Sequence, residues 1–264
     1  MHSKTKKPFI QSIWFKIILL IAFFIPSYSQ VAYEPANTPE VIASVLAHPA
    51  IVNINFLLPI AKLTLLLAVI TVFINTKLSS RIFLGYNALI LIIVGIFQNI
   101  SQTQDYGFVW LIGNTIIMLI VSAFCIYDIV QHKTVFEREN LEVKRLWVIA
   151  PMLLAFLMPY AVNEQDIIKP AFGLLALTNE AGVTYCMITP VIIGVMILFS
   201  KGVYKPTLSI VSFIGLVFGI MNMLTWFVFQ NQNWWMGILH LPLVILSFYA
   251  LLICRPKKFI RQTV

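Results

Sequence analysis

Apolar positions in this chain come in long runs, and polar positions gather in the short stretches between them. Neither a period of two nor a sustained one-sided helical period dominates, as expected of helices that are apolar all round. Seven such runs follow one another at residues 51–74, 82–100, 108–130, 146–163, 183–200, 207–229 and 234–254. An α-helix needs about 20 residues to cross a hydrocarbon core about 30 Å thick, so each run is a candidate span. The pattern predicts an all-α fold: a polytopic transmembrane bundle of seven helices in a single unit from 51 to 254. A further apolar stretch, 171–178, is too short to span and is expected to be interfacial or re-entrant, tucked over the bundle as a lid.

The beginning of the chain reads differently. Lys4, Lys6 and Lys7 precede an unbroken apolar stretch from Ile17 to Ile25, which Pro26 ends before Ser27-Tyr28-Ser29. A basic start, a short apolar core and small residues at the −3 and −1 positions describe a secretory signal peptide over 1–29, cut after Ser29. The alternative is a retained first helix, which would make eight. Residues 30–50 then form an exported segment. Within it Thr38-Pro39-Glu40 opens a short helix, with a capping hydroxyl and proline at N1. Val41, Ile42, Val45 and Leu46 give it one apolar face that would lie on the membrane surface and stop near His48-Pro49.

Composition strengthens the membrane reading. Of 264 residues 60% are hydrophobic and 11% charged, against about 25% charged in a soluble domain. The charges also orient the bundle. The basic start, the connections 75–81, 131–145 and 201–206, and the tail 255–264 hold 15 of the 18 Lys and Arg residues. The alternate connections carry Glu34, Glu40, Asp105, Glu164, Asp166 and Glu180. By the positive-inside rule the mature N-terminus is outside and the basic C-terminal tail cytoplasmic, in a plasma or inner membrane. Trp110, Trp226, Trp234 and Trp235 near the outer ends and Trp147 near an inner end suit interfacial anchoring. The net charge of +8 is spread over separate segments, which excludes nucleic-acid binding. The mixed charges of 131–145 predict a solvated helical face, or a docking surface for another membrane subunit.

Candidate chemistry lies at membrane depth. Lys62 places an ammonium well inside the first run, where a charge costs at least about 2.5–3.5 kcal/mol on insertion scales and normally faces a partner or a wet cavity. Counting back at 1.5 Å per residue, Lys62, Asn114, Tyr160, Asn222 and His240 all fall between mid-membrane and the outer interface. Together they predict an outward-facing pocket for a small polar or anionic ligand, for transport or sensing. The competing explanation is helix-to-helix hydrogen bonding. It is strongest for Asn222, which shares a small-xxx-small face with Ser212, Gly215 and Gly219. His240 precedes Pro242, whose missing N–H favours a kink beside the imidazole.

Cys125, Cys186 and Cys254 sit in apolar runs without metal-like spacing and read as packing residues. No cofactor or metal motif is present, no catalytic residue can be assigned, and no nucleophile–base pair can be placed, which ranks a membrane enzyme third. A structural or assembly subunit of a larger membrane complex ranks second. Asn99-Ile100-Ser101 is a glycosylation sequon on the outer side, meaningful in a eukaryotic host.

Overall fold

The computed structural model of the protein describes residues 12–54, 56–74, 77–162 and 167–255. A helix runs through each of the seven apolar segments: α3 (Leu57–Val72), α4 (Lys77–Phe97), α5 (Ile112–Gln131), α6 (Ile149–Leu157), α8 (Tyr185–Leu198), α9 (Lys205–Leu224) and α10 (Trp234–Ile253). Among the described residues α1 (Ile13–Phe23), α2 (Thr38–Ala47) and the one-turn α7 (Leu175–Thr178) complete the α-helices. Among the described residues four helices are long and apolar enough to cross a membrane: those at Leu78–Phe97, Ile112–Gln131, Lys205–Phe229 and Asn231–Ile253. The number is six if two bent pairs each make one span, Pro35–Asn53 with Leu57–Val72 (87°) and Ala176–Val183 with Tyr185–Leu198 (88°). These helices fit an integral membrane protein with four to six candidate spans.

The segment 146–163 departs most from the sequence pattern. It enters through a 3-10 stretch, Val143–Val148, and α6 lasts only 9 residues. Pro159 disfavours helical geometry at the residue before it and offers no N–H of its own. Met158 turns to φ 41, and the chain leaves as a two-stranded antiparallel hairpin, β4 (Tyr160–Val162) on β5 (Ile168–Pro170). A run of apolar residues hides such a break, because hydropathy does not register backbone angles.

The helices bundle around α8, which is buried almost along its whole length. α9 and α10 meet through the small-residue face: a Cβ on Gly215 would lie 2.5 Å from the Ser247 hydroxyl, and one on Gly219 2.9 Å from Val244 Cγ2. Such faces let helix backbones approach.

The connections sort into two ends. At one end Val135 N–H donates to Gly202 O, Phe136 N–H to the Ser80 hydroxyl and Glu142 N–H to Leu198 O. Arg145 donates to Ile197 O at 3.2 Å, to the Ser200 hydroxyl, and pairs with Glu142 at 3.1 Å. This is the basic end. The stretch 131–145 is therefore not one continuous helix: Glu142 and Arg145 hold the end of α8 and the turn after it, while Glu137, Glu139 and Lys144 stay exposed. Phe136, fully buried, stacks edge-on against Phe83 and Phe199.

At the other end β1 (Tyr28–Ser29), β3 (Gly107–Trp110) and β2 (Ile100–Thr103) form an antiparallel sheet in the order β1-β3-β2. Val41 and Val45 of α2 pack with Val109 and Leu111, so α2 covers this sheet. Leu46 stays exposed, and the Thr38 hydroxyl bonds Pro35 O instead of capping the helix. The Asn99 sequon is consumed as well. Asn99 is buried, its amide donating to Gly95 O at 2.8 Å, and the Ser101 hydroxyl donates to His48 O.

Candidate functional site

Lys62 stands in the second turn of α3 and is 2% exposed. A 3-10 turn, Glu180–Val183, crosses directly over it. A Cβ on Gly182 would lie 2.6 Å from the Lys62 backbone nitrogen and 3.0 Å from the Ala61 carbonyl carbon, so glycine alone permits the crossing. The Lys62 ammonium donates to Leu157 O at 3.2 Å and to Ala176 O, and lies 5.6 Å from the centre of the Phe156 ring. Leu157 ends α6, where carbonyls lack intrahelical donors and the helix dipole is negative. Ala176 belongs to α7. The lysine thus joins a helix end to the lid above it. Among the described residues no carboxylate forms an ion pair with this amine.

Asn179 works beside it. Its amide donates to Met158 O at 2.7 Å and Leu157 O at 3.3 Å, while its carbonyl oxygen accepts from Ala181 N–H at 3.2 Å. Lys62 and Asn179 therefore share the Leu157 carbonyl. Tyr160, buried on β4, donates its hydroxyl to the Glu180 carboxylate. Glu180 opens the crossing turn, so Tyr160 holds the same lid from the hairpin side. Tyr185 N–H, where α8 begins, donates to the Gln98 side chain at 2.9 Å.

Of the five residues singled out by depth, the structure brings Lys62 and Tyr160 into one layer. His240 borders it: Tyr160 packs with Met236, and the His240 imidazole lies 5.9 Å from the Trp226 ring of the same small cluster. The His240 Nδ1–H donates to Met236 O of its own helix at 2.8 Å. Asn222 turns elsewhere, donating to Phe218 O at 2.8 Å and Cys186 Sγ at 3.1 Å. Asn114 lies buried in the first turn of α5, with no hydrogen bond to the other four. Asn179, Glu180 and Gly182 complete the layer and escaped the depth argument, which searched only the long runs. The signal was present: an Asn-Glu pair between two apolar stretches is a turn opener.

No family model, curated protein or solved structure matches this chain. The layer itself must then carry the functional argument. It offers an amine, amide and phenol donors, and a carboxylate, arranged where two helical segments break. Among the described residues no group of three or more His, Cys, Asp or Glu side chains could hold a metal ion. A cavity of about 260 Å³ opens at the basic end instead, lined by Val72, Phe73, Arg138, Leu141 and Phe199.

Proposed function

We propose that the protein is a multi-pass membrane protein, with seven crossings or eight if α1 is retained, that binds a small polar or anionic solute from the extracytoplasmic side for transport or sensing. The observation that carries this reading is the buried Lys62 ammonium, which has main-chain carbonyls but no ion-paired carboxylate around it among the described residues. Carbonyl dipoles compensate a buried charge only in part, and its full compensation calls for an anion. Broken helices at membrane depth are tolerated where the freed backbone is buried in protein or lines a cavity, and in transporters they mark solute sites. Lys62 bonds Leu157 O and Ala176 O beneath the segment 167–183, which we read as a lid. Solute entry would lift the segment 167–183, transfer the ammonium from Leu157 O and Ala176 O to the solute, and free the Asn179 amide beside it.

The assembly reading would use the exposed charges Glu137, Glu139 and Lys144 of the 131–145 connection, whereas Glu142 and Arg145 are engaged within the bundle. The positive-inside pattern supports a cytoplasmic basic end, with the sheet and the lid outside.

Thermal unfolding in detergent with acetate, succinate, phosphate and sulfate tests the proposal. At least one should stabilise the wild type, and Lys62→Met should weaken that ligand's apparent affinity about tenfold or more, equivalent to about 1.4 kcal/mol. Equal stabilisation of wild type and Lys62→Met by every anion would leave Lys62 as a backbone clamp only.

A further inference from the structure

The small core around Tyr160 differs in composition from the rest of the interior. Three of its five buried members are methionines, Met158, Met187 and Met236, beside Tyr160 and Ala181. The main core instead scatters Met118, Met152 and Met196 among Ile, Val, Leu and Phe. The three clustered methionines come from different elements, each where the backbone leaves or enters regular helix. Met158 follows the last residue of α6 at φ 41, a geometry disfavoured for a residue with a side chain, and the Asn179 amide clamps its carbonyl at 2.7 Å. Met187 lies in the first turn of α8. Met236 lies in the first turn of α10, which follows the π-helical turn Thr225–Phe229 that carries Trp226. Such π-turns are rare and are frequent at functional sites.

His240 stands one turn beyond Met236 and is buried. Met236 O can only accept, so the proton of the neutral ring sits on Nδ1 and Nε2 keeps a lone pair. Metal-binding imidazoles are held in this way, with the other ring N–H donating to a backbone carbonyl. The Trp226 ring lies 5.9 Å from the imidazole, tilted by 33°. One negative charge borders the cluster, the Glu180 carboxylate that accepts from the Tyr160 hydroxyl.

We propose that Met158, Met187, Met236 and the Nε2 of His240 form a binding site for a soft monovalent metal ion, Cu(I). Thioether sulfur is polarisable and uncharged, so it favours soft cations and offers little to hard ones. Zn(II) sites are built from thiolates, imidazoles and carboxylates, and one imidazole among thioethers does not meet that need. A monovalent ion also matches the single carboxylate, whereas a divalent ion would leave excess charge buried. Methionines carry no spacing motif, so the apolar runs give no sign of the set. The site is independent of the solute reading, since it uses neither the Lys62 ammonium nor the two carbonyls that hold it.

The test uses the full chain in detergent under anaerobic conditions, with Cu(I) competed against a chromogenic Cu(I) chelator. The wild type should take up the ion and show sulfur and imidazole nitrogen around copper by X-ray absorption. Met187→Leu, Met236→Leu and His240→Gln should each weaken the affinity about tenfold or more. Leucine nearly conserves the volume of methionine, and thermal unfolding without metal checks that the variants fold. Met196→Leu, in the main core, should leave the affinity unchanged. Ag(I), equally soft and monovalent, should displace Cu(I), and Zn(II) at the same concentration should not. No uptake by the folded wild type, a spectrum with only oxygen and nitrogen neighbours, or wild-type affinity in both Met236→Leu and His240→Gln overturns the site. Equal displacement by Zn(II) overturns the assignment to Cu(I). The spectrum is read on the wild type, so it decides even where a variant does not fold.

Discussion

Gly182 and Gly85 form an informative pair. Both are glycines in apolar surroundings, yet a Cβ at Gly182 meets the α3 backbone, whereas one at Gly85 meets nothing within 4 Å. Gly182→Ala should destabilise by about 1–3 kcal/mol, the usual cost of overpacking. Gly85→Ala, inside α4, should stabilise by about 0.5–1 kcal/mol through the reduced freedom of the unfolded chain. Chemical denaturation in mixed micelles reads both, and similar values would mean that the turn does not press on α3. Asn99 gives a second test at this scale. Expressed in a eukaryotic secretory pathway, the folded protein should carry no glycan there, seen as no mobility change on glycosidase treatment, because the amide is bonded inside the fold. The sequence made Lys62 conspicuous, since a lysine within an apolar run is rare and costly. Its partners were not legible. They are main-chain carbonyls, which every residue carries and no side-chain pattern marks.

Among the elements, α1 is the one that the sequence leaves open between a cleaved leader and a retained helix. Leu19 is 1% exposed, Phe15 and Phe23 pack on Phe124 and Phe218, and a Cβ on Gly113 of α5 would lie 2.7 Å from Ala22 O. The expected cleavage point after Ser29 falls in the ladder where Ser29 pairs with Val109, and Gln30 N–H continues it to Phe108 O at 2.9 Å. Intact mass of the purified protein should therefore include this helix, and removing residues 1–29 should lower the unfolding temperature or prevent folding. A stable mature chain beginning at Gln30 would defeat that expectation. A basic, short, apolar segment ending in small residues looks the same to hydropathy whether it is a leader or a packed helix. The contacts of α1 with α5 and α9, about 90 and 200 residues further along, lie outside what hydropathy reads. The positions of the longer helices were legible for the opposite reason: uninterrupted apolar runs of spanning length have few other stable uses.

For the whole molecule, the separation of the connections into two ends governs what can be tested. Gln104→Cys lies in the turn between β2 and β3, and Lys201→Cys lies at the basic end, both exposed. In sealed cells an impermeant maleimide should reach the first, and reach the second only after permeabilisation. The reverse result would invert the proposed orientation. Arg145 ties the basic end together, so Arg145→Ala should cost about 1.5–3 kcal/mol, as expected for lost hydrogen bonds to a charged group. The exposed Lys144→Ala should stay within about 0.5 kcal/mol.

The β1-β3-β2 sheet also sets an order of events during synthesis. Tyr28 and Ser29 leave the ribosome long before Val109 and Trp110, so the first strand has no neighbour until two further apolar helices, α3 and α4, have been made. Until then α1 is a short helix held without its eventual packing surface. Its lodging place is completed only when α5 and later α9 arrive, so a nascent chain arrested before residue 107 should expose the 28–30 segment to proteases that the finished protein resists.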